Sequence, residues 1–231
     1  MQTFSAIVLA AGSGSRMGLD VKKQYLNLLG KPLIYYALST FEKSKVDEIV
    51  LVVSPGDEAY VKKEIVDAYG FSKVAAIVPG GKERYNSVYE GLKMCHGEYV
   101  LIHDGARAFV TEEIIKRAME DVVISKANIA AVPVKDTIKL SDDAGFVAET
   151  VERQRAWSVQ TPQSFSLSLV KRAYEKALVS GIEGITDDAM IVEKMSDCKV
   201  KFIQGSYDNI KVTTVEDIAL GEIILKKQNR C

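Results

Sequence analysis

The sequence predicts an α/β fold with a doubly wound, mostly parallel sheet that is interrupted once by a protruding β-hairpin arm. Short apolar runs rich in β-branched residues recur as far as Val134, and amphipathic stretches of about ten to fifteen residues separate them. A regular strand–helix–strand alternation of this kind is typical of a parallel sheet covered by helices on both faces, a Rossmann-like arrangement. After Val134 the alternation breaks, and the residues that follow predict the arm.

The apolar runs and the amphipathic stretches define the elements of the first half. Pro32 suits a first helical turn, where its missing N–H leaves no hydrogen bond unmade. Thr111 is a suitable N-cap for a helix whose first turn carries Glu112 and Glu113, since acidic side chains are favourable at a helix N-terminus. The predicted strands are Ser5–Leu9, Glu48–Val53, Lys73–Val78, Glu98–His103 and Asn128–Val134, and the predicted helices are Pro32–Ser44, Asp57–Tyr69, Glu83–Cys95 and Glu112–Ser125.

Two alternating runs predict the hairpin, namely Thr137–Leu140 and Phe146–Val151, with the turn-prone Ser141–Gly145 between them. An isolated hairpin is marginally stable in water, so an arm of residues 137–154 needs a surface to lie on. A second subunit is one candidate, which would make the chain a homodimer. The chain's own domain is the other, and the sequence leaves the two open.

The remaining residues return to helices with one further strand. The predicted helices are Ser166–Ser180, Asp187–Ser196 and about Thr214–Lys227, and the predicted strand is Lys199–Ile203. No internal repeat, linker or low-complexity segment divides the chain. We therefore expect a single domain over residues 1–231, with the arm inside it.

Composition excludes several classes of function. Thirty basic residues balance 31 acidic ones for a formal charge of −1, and no basic block indicates a nucleic-acid or membrane partner. No stretch approaches the roughly 20 apolar residues of a membrane span, and no secretion signal begins the chain, so we expect a cytoplasmic protein. Three scattered cysteines and two histidines, His96 and His103, are poor material for disulfides, a zinc site or a serine–histidine triad.

A glycine loop follows the first predicted strand and contains Gly12 and Gly14. A dinucleotide-binding fingerprint requires glycine where Met17 stands, and a P-loop requires a Gly-Lys-Ser/Thr that the loop lacks. Small residues there would let backbone N–H groups hold phosphate oxygens, with Arg16 and Lys23 as nearby cations. A tight strand-to-helix turn with solvated basic residues explains the loop alone equally well.

The loop and the segments after it closely resemble one known family. Residues 10–17 with Lys23-Gln24-Tyr25 resemble the opening of the sugar-phosphate nucleotidyltransferases, and the rest resembles their branch of 2-C-methyl-D-erythritol 4-phosphate cytidylyltransferases of non-mevalonate isoprenoid synthesis. The matching segments keep the family's order over nearly the whole chain: Gly80–Arg84 with Ser87, His103–Arg107, Pro133–Thr137, Thr150–Arg153, Gln160–Gln163, Thr186–Asp188 and Asp208–Thr213.

The resemblance implies a reaction and a metal. The enzyme would bind CTP with Mg²⁺, and the methylerythritol phosphate would attack the α-phosphorus and release pyrophosphate. A phosphate monoester is already largely dianionic near neutral pH, its second pKa being about 6, so it needs no base to become a nucleophile. The scarcity of histidine and cysteine is therefore no obstacle.

The resemblance also implies which residues form the site. The catalytic residues would be Arg16, Lys23, Arg153 and Lys211. CTP would be bound by Ala10, Ala11, Gly12, Gly14, Gly81, Lys82, Ser87, Asp104 and Gly105, with Asp104 also on the metal side. The polyol phosphate would be bound by Arg107, Thr137, Arg153, Thr186, Asp208 and Lys211. In the family the arm embraces the partner subunit and lends residues to its site, which implies a homodimer.

Three residues depart from the family's pattern, and two rival functions stay open. Lys22 and Ala108 stand where the family usually has proline, and Lys82 stands where an acidic residue is common. A ribitol-5-phosphate cytidylyltransferase would use the same chemistry, but Thr150–Gln154 resembles the methylerythritol branch more. A non-catalytic nucleotide-binding module on the same fold is the third hypothesis. The presence of Arg16, Lys23 and Lys211 together with Asp104 argues against it.

Overall fold

A seven-stranded sheet forms the centre of the molecule, in a computed structural model that describes residues 2–12 and 22–230. The strand order across the sheet is β11-β7-β10-β6-β1-β4-β5, and β2 and β3 form a separate small pair. The strands are β1 (Phe4–Ala10), β2 (Asn27–Leu28), β3 (Lys31–Pro32), β4 (Glu48–Val53), β5 (Val74–Pro79), β6 (Tyr99–Asp104), β7 (Ala127–Pro133), β8 (Lys139–Ser141), β9 (Val147–Thr150), β10 (Trp157–Ser166) and β11 (Lys201–Gln204).

Helices cover both faces of this sheet. The helices are α1 (Leu33–Lys43), α2 (Glu58–Val61), α3 (Arg84–Lys93), α4 (Glu112–Ser125), α5 (Leu167–Ser180), α6 (Asp188–Met195) and α7 (Glu216–Lys227). Helix α2 is shorter than predicted because the chain continues from it as a π-helical stretch, Lys62–Asp67. None of the helices in the described ranges is long and apolar enough to cross a membrane.

The predicted fold class is confirmed, but three strands were not predicted: the short β2 and β3, and β10 in the central sheet. The pairs β1–β4, β1–β6, β4–β5 and β7–β11 are parallel, whereas β10 runs antiparallel to both β6 and β7. Strand β10 carries Pro162 and a register shift between Val159 and Gln163. Proline and polar residues are unusual in a central strand, which is why this segment gave no strand pattern.

Alternating side chains of the central strands feed two separate apolar layers. Ala6 and Val8 of β1 pack with α1 and α4 on one face, while Ile7 packs with α3 and α5 on the other. This division follows from the period of two along a strand, which sends successive side chains to opposite faces. Because β1 and β6 are parallel neighbours, their carboxyl ends meet at one edge of the sheet. The sheet is covered by an apolar layer on each face.

The predicted hairpin is present as the antiparallel pair β8–β9. Every residue of both strands is exposed. Four large apolar side chains of the arm, Ile138, Leu140, Phe146 and Val147, are between 38% and 72% exposed. Large exposed apolar side chains concentrated on one element indicate an interaction surface.

Candidate active site

A cleft of about 420 Å³ opens at the carboxyl ends of β1 and β6. This edge is where open parallel sheets bind ligands. Nine of the residues predicted for the site line the cleft: Ala10, Ala11, Gly12, Lys23, Gly81, Lys82, Ser87, Asp104 and Lys211. Gln24, Glu83, Arg84 and Thr213 line it as well and were not among the predicted site residues.

Two glycines let the loops around the cleft approach β1 closely. A Cβ on Gly105 would lie 2.8 Å from the Leu9 carbonyl oxygen, which accepts a 2.8 Å hydrogen bond from the Gly105 N–H. A Cβ on Gly80 would lie 2.5 Å from the Cβ of Ala11. A side chain at either position would collide with the end of β1 or with Ala11, the residue after it, so the shape of the cleft requires glycine there.

The carboxylate of Asp104 lies between two cations. Arg84 Nε is 3.1 Å from one oxygen, and Lys211 Nζ is 2.6 Å from the other. Burial alone would raise the pKa of Asp104, but Arg84 and then Lys211 outweigh it, so the pKa lies well below its usual range. Asp104 is therefore ionised at every physiological pH.

Arg84 extends this network into the protein interior. Its two terminal nitrogens each donate a 2.8 Å hydrogen bond to Asp188, whose side chain is fully buried. Tyr174 donates a 2.5 Å hydrogen bond to the same carboxylate. Arg84 and Asp188 lie in family-like segments of the sequence, but the sequence indicated no role for either. Their charges were visible, whereas a pairing across 104 residues was not.

Backbone contacts hold the segment that carries Lys211. The Val212 N–H donates to the Ala106 carbonyl at 2.9 Å, and the buried Asn209 amide donates to the Thr161 carbonyl at 2.9 Å. Arg107 donates to the backbone carbonyl of Asn209 at 2.8 Å. The structure therefore places Arg107, predicted to contact the polyol phosphate, in contact with the Lys211 segment.

Lys23 reaches the cleft from a short 3-10 turn, Lys23–Tyr25. The adjacent Gln24 is buried and donates a 2.7 Å hydrogen bond from its amide to the carbonyl of Ala10, the last residue of β1. This bond sets the turn against the strand end. The predicted Gly14 and Arg16 lie outside the described residues.

The other residues predicted for the polyol phosphate are not among the described residues that line the cleft. Arg153, near the end of the arm, donates a 2.9 Å hydrogen bond to Thr137, at its start. Thr186 is exposed beside α6, and Asp208 forms a 2.6 Å ion pair with Lys227. The structure thus brings Thr137 and Arg153 together at the base of the arm.

His103 is a structural residue at the end of β6. Thr161 accepts a 3.1 Å hydrogen bond from the Asp104 N–H and donates one of 3.0 Å to His103 Nδ1. His103 Nε2 donates to the Arg107 carbonyl at 3.1 Å. Burial lowers the pKa of His103 to about 4, so the ring is neutral and both nitrogens are engaged.

Residues 4–227 match the family model for 2-C-methyl-D-erythritol 4-phosphate cytidylyltransferase. The matched residues include those that line the cleft and those of the arm.

The chain belongs to the 2-C-methyl-D-erythritol 4-phosphate cytidylyltransferase family.

Individual relatives agree with this assignment over nearly their full length. The cytidylyltransferase of that name from Lachnospira eligens is 46% identical to the chain, over 96% of the chain and 99% of that protein. The one from Alkaliphilus oremlandii is 48% identical, over 96% of the chain and 94% of that protein. The crystal structure of 4-diphosphocytidyl-2C-methyl-D-erythritol synthase from Anaerococcus prevotii superposes with a TM-score of 0.87 at 36% identity and covers 97% of the chain and 96% of that protein.

A solved cytidylyltransferase from Thermus thermophilus has a TM-score of 0.78 at 26% identity, over 98% of the chain and 100% of that protein. The family and the nucleotidyltransferase class predicted from the sequence are confirmed. Within residues 2–12 and 22–230, no group of three or more His, Cys, Asp or Glu side chains could hold a metal ion by itself.

Loss of Arg84 should destabilise the cytidylyltransferase fold. In an Arg84→Ala variant, Asp188 would remain buried without its counter-charge, which typically costs about 3–5 kcal/mol. The free energy of unfolding, measured by urea denaturation, should fall by that amount. Lys116→Ala serves as the control, since this exposed lysine pairs with Glu120 at 3.8 Å and its loss should cost less than about 1 kcal/mol. Equal stability of the two variants would contradict the account.

Stability should depend on His103 between pH 7 and pH 5. Its pKa rises from about 4 in the folded protein to its ordinary 6.5 on unfolding, so the unfolded chain binds more protons between these values. Stability attributable to His103 is complete above pH 6.5 and decreases as the pH falls. The expected loss between pH 7 and pH 5 is about 2 kcal/mol.

Urea denaturation at both pH values would measure this loss. His103→Gln should remove most of the difference in unfolding free energy between the two pH values. His96→Gln should preserve it, because the His96 side chain is 79% exposed. A pH dependence unchanged in His103→Gln would show that other groups cause it.

Proposed function

We propose that the chain transfers a cytidylyl group from CTP to 2-C-methyl-D-erythritol 4-phosphate and releases pyrophosphate. A phosphate oxygen of the acceptor forms a bond to the α-phosphorus of CTP. The bond from that phosphorus to the oxygen bridging the β-phosphate breaks, and the electron pair leaves with pyrophosphate. The product is 4-diphosphocytidyl-2-C-methyl-D-erythritol, the compound after which the Anaerococcus prevotii synthase is named.

The observation that carries this proposal is the concentration of cations at the cleft. Lys23, Lys82, Arg84 and Lys211 all line it. The reaction brings a triphosphate and a phosphate monoester together, so its main obstacle is repulsion between anions. Fixed cations offset this repulsion and stabilise the charge that develops on the leaving group.

The proposed reaction needs no general base. The acceptor phosphate is largely dianionic near neutral pH, since its second pKa is about 6. His103, the histidine beside the cleft, is buried with both ring nitrogens engaged. Catalysis by positioning and charge is therefore the mechanism that fits this set of side chains.

Each cation has a proposed role in the transfer. Lys23, with Arg16, would stabilise charge on the β- and γ-phosphates, and Lys211 would bridge the α-phosphate and the acceptor phosphate. The 2.6 Å pair with Asp104 holds Lys211 at the cleft. Backbone and small side chains would bind the cytosine and ribose, and they belong to Ala10, Ala11, Gly12, Gly14, Gly81, Lys82, Ser87 and Gly105.

Mg²⁺ fits the site as a partner of the triphosphate. Mg²⁺ commonly binds through one or two carboxylates plus substrate phosphates and water, and it does not need an all-protein cage. Asp104 is an ionised carboxylate at the cleft, 12% exposed, and it would supply the protein ligand. When bound, the metal would neutralise phosphate charge as a Lewis acid.

The acceptor site is proposed to include the arm of a partner subunit. Thr137 and Arg153 lie at the two ends of the arm and hydrogen bond to each other, and the arm exposes four large apolar side chains. A homodimer would bury these side chains and bring the pair to the partner's cleft, with Arg107, Thr186 and Asp208 as further proposed contacts.

The single domain of residues 1–231 and the cytoplasmic location likewise stay predictions.

A pyrophosphate-release assay tests the proposed function. Purified protein with CTP, Mg²⁺ and 2-C-methyl-D-erythritol 4-phosphate should release pyrophosphate, and mass spectrometry should detect the diphosphocytidyl product. Ribitol 5-phosphate replaces the acceptor in a parallel reaction. Turnover with ribitol 5-phosphate but not with 2-C-methyl-D-erythritol 4-phosphate would favour the rival cytidylyltransferase. CTP binding without turnover on either acceptor would indicate a non-catalytic module.

Lys23→Ala should lower turnover far more than CTP affinity. A group that acts on charge in the transition state contributes to kcat, and loss of one such group typically costs about 10²–10³-fold. Steady-state kinetics and calorimetry with CTP separate the two effects. Lys63→Ala, which removes an exposed lysine paired with Glu64, is the control and should behave as wild type. Near-normal turnover of Lys23→Ala would refute the role.

Subunit complementation tests the shared site. Inactive Lys23→Ala and Arg153→Ala chains are mixed in equal amounts and allowed to exchange. If each arm serves its partner, half of the dimers are mixed and each contains one intact site, so activity should approach about a quarter of wild type. The matched control mixes Lys23→Ala with Lys211→Ala, both at the cleft of their own chain, and should stay inactive. No recovery despite demonstrated exchange would mean that the arm serves its own subunit.

A further inference from the structure

Asp57 makes contacts that its position in the chain does not require. It precedes α2 at the N-cap position, where an aspartate side chain ordinarily accepts a backbone hydrogen bond from the helix. Here it makes no such capping bond. Its carboxylate, 18% exposed, instead accepts 2.7 Å hydrogen bonds from Lys22 Nζ on both oxygens and a 3.0 Å hydrogen bond from the Tyr25 hydroxyl.

Lys22 and Tyr25 are the two residues that enclose Lys23 and Gln24. The Tyr25 N–H donates a 2.9 Å hydrogen bond to the Lys22 carbonyl and closes the turn between them. Gln24 is tied to Ala10 on the strand side. The backbone at Lys23 is therefore held by Asp57 on one side and by the end of β1 on the other.

The same loop after β4 also contacts the start of the glycine loop. Ser54, which is 9% exposed, donates a 3.3 Å hydrogen bond to the Ala11 carbonyl, and the Asp57 N–H donates to the Ser54 carbonyl at 3.0 Å. Ala11 and Lys22 are thus both bonded to the segment 54–57. That segment joins β4 to α2 and is anchored at both ends in the main fold.

We infer that Asp57 is a positioning residue of the cytidylyl transfer, which holds Lys23 in the cleft by binding the side chains of Lys22 and Tyr25 on either side of it. This inference rests on the proposed function. It also gives Lys22, a departure from the family's proline, a physical role. Asp57 does not line the cleft, so its effect on the reaction must pass through Lys23.

The chemistry of the three side chains suits a stable clamp. Burial and the neighbouring Asp57 both raise the pKa of Tyr25, so its hydroxyl remains a donor throughout the physiological range. The Tyr25 ring packs edge-on against Tyr60 of α2, with 5.2 Å between ring centroids, and this contact limits its movement. A small displacement of a catalytic group, about 1 Å, can lower a rate by about 10²-fold.

The test compares Asp57→Asn with wild type in the pyrophosphate-release assay. We expect kcat at least about tenfold lower, with the KM for CTP changed less than about threefold, because Lys23 acts on the transition state. The thermal unfolding midpoint should stay within a few degrees of wild type. Asp67→Asn is the matched control, since Asp67 pairs with Lys62 beyond α2 and away from the cleft. It should leave kcat unchanged.

A second background distinguishes positioning from a general structural effect. In a Lys23→Ala chain, adding Asp57→Asn should change kcat by no more than about twofold, because the group that Asp57 positions is already gone. The double variant Lys22→Met with Tyr25→Phe removes both donors and should reproduce the kcat loss of Asp57→Asn. It carries the test if Asp57→Asn does not fold.

The outcomes separate this inference from the proposed function. An active wild type with unchanged kcat in Asp57→Asn would overturn the inference alone. A further large drop in the Lys23→Ala background would also overturn it, since Asp57 would then act independently of Lys23. A wild type inactive on CTP and both acceptors would contradict the proposed function, and the inference would fall with it.

Discussion

The site depends on one carboxylate. Asp104 ends a strand that is buried between two helical layers, and it binds Arg84 and Lys211, which are 20 and 107 residues away in the chain. Arg84 in turn neutralises the fully buried Asp188. Because each charge is paired, the protein can keep cations at an open cleft without leaving a buried charge unpaired, which would be strongly unfavourable. The same pairs fix where those cations lie before any substrate arrives.

The arrangement explains how a site can bind anions and still contain a carboxylate. Cations clustered without a carboxylate would repel one another and move apart. Cations paired with Asp104 keep their positions, because the carboxylate compensates part of their charge. In the proposed reaction the phosphates would add negative charge, and Mg²⁺ held by Asp104 would add positive charge. Preorganised charges of this kind stabilise a transition state without reorganising during the reaction. Lys23 is another cation at this cleft, and we propose that Asp57 positions it.

Much of the molecule outside the cleft serves to hold this edge in place. The Gln160–Thr161 part of β10 leaves the regular ladder, and its polar groups bond instead to the segment that leads to Lys211. The irregular strand is thus a connector between the sheet and the site. The arm has the opposite character, since β8 and β9 are exposed throughout, and its proposed function requires a second subunit.

The amino-acid sequence alone predicted the fold class, most helices and strands, the arm and the family. Local periodicity sets helices and strands, and the motif order was specific enough to indicate nine residues that line the cleft. It did not reveal β10, because Pro162 and polar side chains obscure the strand pattern. Nor did it reveal the pairings of Arg84 with Asp188 or of Asp57 with Lys22 and Tyr25. Those contacts join residues 32 to 104 positions apart, and only the folded chain decides which distant charges meet.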